Sequence, residues 1–223
     1  MNNISKLSFG IAWDFDGTIV KSQKEAHAPI EAQILNSLGI PITKEQICIN
    51  YSGVKTREFF QILIKQYKIK ADVDELVNSK WRLMIKLAQN KSWTFVPGVK
   101  KFIKEASEAG IQQVIGTASK KKYVEIILKR YKLYQYFSHI VSGDDVKRGK
   151  PDPETWLQCA KLLNLPPNKI IVIEDGIAGI KAAKKAGMPN ILISSQKTRK
   201  ANICIQNFKQ LSISDLKTLK LTP

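Results

Sequence analysis

The chain has 223 residues, 43% of them hydrophobic, and 36 Lys and Arg against 19 Asp and Glu give a formal net charge of +17. This apolar share excludes a disordered chain, and the length suits one ordinary domain with a smaller insertion, or two domains. The charge is spread out, and its densest runs (Lys120-Lys121-Lys122, Lys129-Arg130 and Lys197 to Lys200) carry no interleaved aromatics, which favours a solvated lysine-rich surface over a nucleic-acid partner.

The first predicted element is the apolar run from Ile11 into Asp14-Phe15-Asp16-Gly17-Thr18-Ile19-Val20. Such a run reads as a strand buried on both faces. Residues two apart on a strand point the same way, so Asp14 and Asp16 can face one site while Phe15 packs behind. Gly17 then turns the chain. Two adjacent carboxylates call for a cation, and all-oxygen ligands suit Mg²⁺. The plain alternative is a turn or helix-cap pair of aspartates.

A polar, helical region follows from about Ser22 to Asn90, with helices predicted over Glu25–Leu38, Lys55–Tyr67 and Asp72–Gln89 and no strand. After Pro97-Gly98 the pattern changes. Val99, Phe102, Ile103 and Ala106 mark a helix, Val114 to Thr117 a strand, and Val124, Ile127, Leu128 and Tyr131 a helix face. His139 to Ser142 is a strand, and Trp156, Ala160 and Leu163 mark a helix. Ile170 to Ile173 is a strand ending on Glu174-Asp175. Ile177–Ala186 is a helix, Asn190–Ile193 a strand, and Ile203 to Ile205 an edge strand. This alternation predicts an α/β, Rossmann-like parallel sheet with helices on both faces and a helical insertion after the first strand.

Polar groups fall at the carboxyl ends of strands, where open α/β sheets bind ligands. Asp14 and Asp16 end one, Thr117 another, Glu174 and Asp175 a third. Thr117-Ala118-Ser119 opens a helix, so its hydroxyl and N–H groups suit an anion, though a plain N-cap explains them too. A calcium loop is excluded, because Gly17 stands at the fourth position and not at the sixth, where Ile19 falls. A P-loop at Gly149-Lys150 is excluded by Pro151 and the spacing to Gly143. Lys150 alone reads as a turn lysine before Pro151-Asp152-Pro153. The three cysteines, Cys48, Cys159 and Cys204, form no close pair, which argues against a disulfide frame and for a reduced, cytoplasmic setting. No apolar run approaches membrane-spanning length, and the N-terminal stretch does not read as a signal peptide.

Asp14-Phe15-Asp16-Gly17-Thr18, Thr117, Lys150-Pro151 and Glu174-Asp175 together resemble the four ordered motifs of the haloacid dehalogenase-like hydrolases. The insertion is similar to that of the β-phosphoglucomutase and phosphoglycolate phosphatase branch. The resemblance implies a core of residues 1–20 and 93–223 and a helical cap of residues 21–92. It implies Asp14 as nucleophile and Asp16 as general acid and base. Thr117 and Lys150 would hold phosphate oxygens, with Gly17, Thr18, Ala118 and Ser119 around the substrate. Mg²⁺ would be held by Asp14, Asp16 (through its backbone carbonyl), Glu174 and Asp175. An aspartate at position 16, which the dehalogenases lack, implies action on phosphate esters.

In the insertion, Lys80 interrupts the stripe Val73, Leu76, Leu83 and Leu87, and Arg57 continues that of Phe60, Ile64 and Tyr67. Both are expected either to snorkel at the seam or to reach an anionic substrate. Two departures from the resemblance stand out. Lys21-Ser22 replaces the usual Asp-Ser, and His27 lies one place beyond Ala26, where the mutases carry a cap histidine. Pro29 sits where it can break the first cap helix. The function expected is a Mg²⁺-dependent phosphatase of a small phosphorylated metabolite, a sugar phosphate or phosphoglycolate, working as a monomer or weak homodimer away from membranes. The rivals are a sugar phosphomutase and, prompted by the charge, a non-enzymatic nucleic-acid-binding or scaffolding protein.

Overall fold

The computed structural model describes residues 9–51, 53–195 and 201–218; Ser52 and the Lys197 to Lys200 run lie outside them. Its sheet holds β1 (Gly10–Trp13), β2 (Gln112–Gly116), β3 (His139–Val141), β4 (Ile170–Glu174), β5 (Asn190–Ile193) and β6 (Ile203–Ile205). Every pairing is parallel, in the order β3-β2-β1-β4-β5-β6. The chain thus builds outward from β1 to β3, then returns to place β4 on the other side of β1.

Apolar runs without alternation form these strands because both faces are covered. Ile11, Trp13, Ile171 and Ile173 point to one face, with Phe102 and Ile103 of α5 (Val99–Glu108), Ile127 and Leu128 of α6 (Lys121–Arg130), and Leu216 of α9 (Ile213–Thr218). Ala12, Val114, Ile170 and Val172 point to the other, with Trp156 and Cys159 of α7 (Glu154–Leu163) and Ala182 and Ala183 of α8 (Ile177–Lys185).

The helical insertion comprises α1 (Ala28–Ser37), α2 (Lys44–Asn50), α3 (Thr56–Tyr67) and α4 (Val73–Asn90). It has an apolar cluster of its own, including Leu35, Ile40, Ile47, Phe59, Phe60 and Leu63. Its two connections run side by side. Lys21 donates its N–H to the Thr94 carbonyl at 2.8 Å, and Val20 bridges Phe95 in antiparallel sense. Among the described residues, no helix is long and apolar enough to cross a membrane.

Three local expectations are corrected. The helix predicted over Glu25–Leu38 begins as a π-helical turn, Gln23–His27, in which Ala28 donates to the Gln23 carbonyl five residues back. Pro29 does not break the helix. A proline in a continuous helix crowds the carbonyl four residues before it, here Glu25, and the wider turn relieves that crowding. The second correction is α2, which was not predicted. Thr43 and Gln46 close its start with a reciprocal capping box, at 3.2 and 2.8 Å. The third is the buried face of α4, formed by Lys80, Trp81, Met84 and Ala88, while Leu83 is exposed.

Trp13 anchors one face of the sheet. It is fully buried, packs edge-on against Phe102 at 6.0 Å, and donates its indole N–H to Gln113 Oε1 at 3.1 Å. Trp13→Ala should cost about 3–5 kcal/mol, as large aromatic truncations in cores do. Urea unfolding should show this as a lower midpoint at unchanged slope. A loss under about 1 kcal/mol would mean the site collapses around the cavity far better than this packing allows.

Candidate active site

β1 and β4 are neighbours, with Trp13 opposite Ile173. The chain order reverses between them, and at such a reversal the loops leaving adjacent strands part to form a crevice at their carboxyl ends. Asp14 follows β1 directly and donates its N–H to the Ile173 carbonyl at 2.8 Å, so the sheet fixes its position. Glu174 ends β4, and Asp175 follows. Gly17 has a φ of +100°, and a Cβ there would lie 2.0 Å from Oδ2 of Asp175. Glycine is therefore required twice, for the turn and for the approach of Asp175.

Lys150 reaches into this crevice and is 1% exposed. It is no surface turn lysine. Its Nζ donates to Asp14 Oδ1 at 2.7 Å, Glu174 Oε2 at 3.3 Å and the Gly116 carbonyl at 3.1 Å. Burial acts to lower its pKa, but the charges of Asp14 and Glu174 prevail and hold it above the ordinary lysine value.

Among the described residues, Asp14, Glu174 and Asp175 bring one carboxylate oxygen each within 4.8 Å of one another. Burial, reinforced by mutual repulsion, raises the pKa of Asp14 and Glu174 and pushes Asp175 up to about 8. One lysine does not balance this group. Among the described residues, the buried Oε1 of Glu174 also has no hydrogen-bond partner. A buried carboxylate oxygen without a donor, in an all-oxygen group, fits a hard divalent cation such as Mg²⁺.

Asp16 does not share that group. Strand alternation cannot hold beyond Trp13, where β1 ends, and the Asp16 carboxylate faces the helical insertion instead. It accepts from Ser22 Oγ at 2.5 Å, from the Ser119 hydroxyl and from Tyr123 at 3.3 Å, and His27 Nε2 lies 3.1 Å away. Burial acts to raise its pKa, but His27, Ser119 and Ser22 outweigh it and hold Asp16 at about 2. Phe15 packs behind, edge-on to Tyr123.

The cleft above is lined by Asp14, Asp16, Thr117, Ala118 and Ser119 from the sheet side. Thr117 accepts from the Ser119 N–H at 3.1 Å, and the Ser119 hydroxyl is engaged by Asp16. Gly17 and Thr18 lie beside the cleft without lining it. From the insertion come His27, Glu31, Thr56 and Lys80. Lys80 is 2% exposed, so its ammonium does not snorkel to water. It donates to Glu31 and, at 2.7 Å, to Thr56 Oγ1. Of the two alternatives for Arg57, the structure does not show the one that reaches into the cleft. Arg57 stands half exposed, paired with Asp74 at the start of α4, and does not line the cleft. One residue further along α3 than Thr56, its side chain leaves on the outer side.

Sequence reasoning did not place Ser22, Glu31, Thr56 or Tyr123 at the site, and set His27 one position out of register. Only His27 carried a signal, as a lone histidine near the expected position.

The chain matches the family described as haloacid dehalogenase-like hydrolase over residues 11–193. The chain belongs to that family. The hydrolase is 32% identical to a phosphorylated carbohydrates phosphatase of Thermotoga maritima, over 81% of its own length and 82% of the relative's. It is 29% identical to a fructose-1-phosphate phosphatase of Escherichia coli, over 80% and 93%. Its fold matches that of β-phosphoglucomutase from Clostridium difficile with a TM-score of 0.80 at 23% identity, over 93% and 95%. The hydrolase therefore falls among the phosphatases of this family, and it shares the fold of β-phosphoglucomutase.

Gly17→Ala should displace Asp175 and weaken Mg²⁺ binding by about 10–100-fold, the range found when groups that orient metal ligands are lost. Titration calorimetry with Mg²⁺ alone reads this. Unchanged affinity would mean that Asp175 is not a ligand.

Proposed function

We propose that this hydrolase is a Mg²⁺-dependent phosphatase of a small phosphorylated metabolite, a sugar phosphate or phosphoglycolate, acting through an aspartyl-phosphate intermediate. The observation that supports it most is the buried Lys150–Asp14 pair beside Glu174 and Asp175, with Asp16 held apart on its own donors. Asp14, Glu174 and Asp175, with the Asp16 backbone carbonyl, would hold the cation. When bound, it would neutralise charge between the Asp14 carboxylate and the phosphate dianion.

The residues divide the work. An Asp14 oxygen attacks phosphorus, and the bond to the substrate oxygen breaks with its electron pair leaving on that oxygen. Asp16 supplies the proton. Water then attacks the aspartyl phosphate while Asp16 takes the water proton, and phosphate departs. In the arrangement seen here its donors keep Asp16 ionised, ready for the second step. For the first step it must carry a proton, and the groups that face it there are His27 at 3.1 Å, Ser22, Ser119 and Tyr123. Thr117 and Lys150 bind phosphate oxygens.

His27 favours a second reading, a sugar phosphomutase of the β-phosphoglucomutase type, in which the phosphoryl group passes to a bound sugar. The π-helical turn absorbs the extra residue before His27 and brings its ring to Asp16. Release of phosphate supports the phosphatase, and conversion of β-glucose 1-phosphate to the 6-phosphate supports the mutase.

Chelation by EDTA should abolish turnover. Asp16→Asn should slow hydrolysis of an alkyl phosphate by about 10²–10⁴-fold, the usual worth of general acid–base catalysis. Acetyl phosphate hardly needs the proton, so it should still phosphorylate Asp14 in that protein. Intact-mass measurement with Mg²⁺ should find a persistent phosphate adduct on Asp16→Asn and none on Asp14→Asn. An adduct on Asp14→Asn, or full activity in EDTA, would overturn the mechanism.

A further inference from the structure

The insertion's side of the cleft contains a polar group that phosphoryl transfer does not use. Lys80 is the one lysine or arginine among the described residues lining the cleft, and its charge is matched within the same wall by Glu31. Glu31, Thr56 and Lys80 are all at least nine-tenths buried, at 6%, 6% and 2% exposure. Lys80 spends one N–H on Glu31 Oε1 and another on Thr56 Oγ1. Two hydrogen-bonding atoms are left over. Among the described residues, Glu31 Oε2 has no hydrogen-bond partner, and the Thr56 O–H, whose oxygen accepts from Lys80, is not donated.

We infer that Glu31, oriented by Lys80, is a specificity-determining residue that accepts a hydrogen bond from a hydroxyl on the far end of the substrate, so that the enzyme selects monophosphates with an uncharged, hydroxylated tail. This deepens the reading under Proposed function and rests on it. A free carboxylate oxygen is an acceptor only. It pairs with a hydroxyl donor and repels a second phosphate or a carboxylate. Lys80 cannot rescue such an anion, because breaking its buried pair would strand the Glu31 charge. Buried polar groups built for a hydroxyl discriminate strongly against analogues without it, because those groups are left unpaired.

The register of α1 sets where that hydroxyl lies. His27 and Glu31 are four residues apart on one helix face, and His27 touches Asp16. Four residues of helix rise about 6 Å. Glu31 therefore meets a group several bonds from the reacting phosphate, within reach of a sugar or polyol chain and beyond a two-carbon acid.

Sorbitol 6-phosphate and 6-phosphogluconate test this, because they differ at the far end in a hydroxymethyl group against a carboxylate. With Mg²⁺, wild-type kcat/KM should favour sorbitol 6-phosphate by about 100-fold or more, the scale of polar-group discrimination. Glu31→Gln frees the Lys80 charge, so the preference should fall by at least about tenfold, with KM for 6-phosphogluconate dropping. Because the single change leaves a buried cation unpaired, Glu31→Gln with Lys80→Met serves as the second variant. It should keep a wild-type melting profile, lose the preference for sorbitol 6-phosphate and gain nothing on 6-phosphogluconate. Equal wild-type rates on the two compounds, or an unchanged ratio in both variants, would overturn the role of Glu31 and leave the phosphatase reading intact. No phosphate release from either compound, nor from p-nitrophenyl phosphate, would overturn both.

Discussion

The Lys150 ammonium, withdrawn almost wholly from water, ties the two acidic strand ends of the sheet together. A buried ion pair gains little net stability over apolar packing, but removing one member leaves uncompensated charge and is strongly destabilising. Lys150 is therefore less a source of stability than a condition on everything around it. Its Nζ lies 4.2 Å over the Trp156 ring, and Trp156 in turn donates to the Gly179 carbonyl at 3.1 Å. Gly179 has to be glycine, because a Cβ there would come within 2.2 Å of the Glu174 carboxylate. β1, β4, α7 and α8 are thus locked around one charge, and the carboxylates that could hold a cation sit where that lock puts them.

Much of this was legible in the sequence. β4 and β5 are continuous apolar runs, because a parallel sheet covered on both faces imposes no alternation. Asp14, Thr117, Lys150 and Glu174 lie far apart in the chain, yet each follows or ends a predicted strand or stands at a loop facing the same sheet edge. A parallel sheet gathers all such ends on one side, so the chain order of the motifs already implied their meeting.

What stayed hidden has physical reasons. The like-facing pair of aspartates was inferred from extended geometry, which stops at Trp13, so Asp14 turned to Lys150 and Asp16 to Ser22. α2 is short and buries only Ile47, so it carries no apolar stripe, though its capping box was readable. The partners of Asp16 come from three separate segments, and Tyr123 among them sits on an otherwise apolar helix face. For Lys80, the stripe signalled an inward position but not that Glu31, 49 residues earlier, would share it. Arg57 looked equivalent by periodicity alone, but Asp74 on the next helix drew it outward.

The insertion is joined to the sheet in two quite different ways. On one side its incoming and outgoing strands are bonded to each other, Lys21 to Thr94 and Val20 to Phe95. On the other, two contacts cross to the loop before Lys150: Lys55 Nζ donates to the Val146 carbonyl at 3.0 Å, and Gly149 donates its N–H to Glu58 at 3.3 Å. The first keeps the two connections together. The second is fastened by side chains at the start of α3, the helix that also carries Thr56. Between them lies an apolar seam, in which Trp81, Met84 and Ala88 of α4 join the cluster that holds Tyr123 and Val124 of α6. Because the second set of contacts falls next to Lys150, the loop that delivers the charge on which the site depends also anchors the insertion.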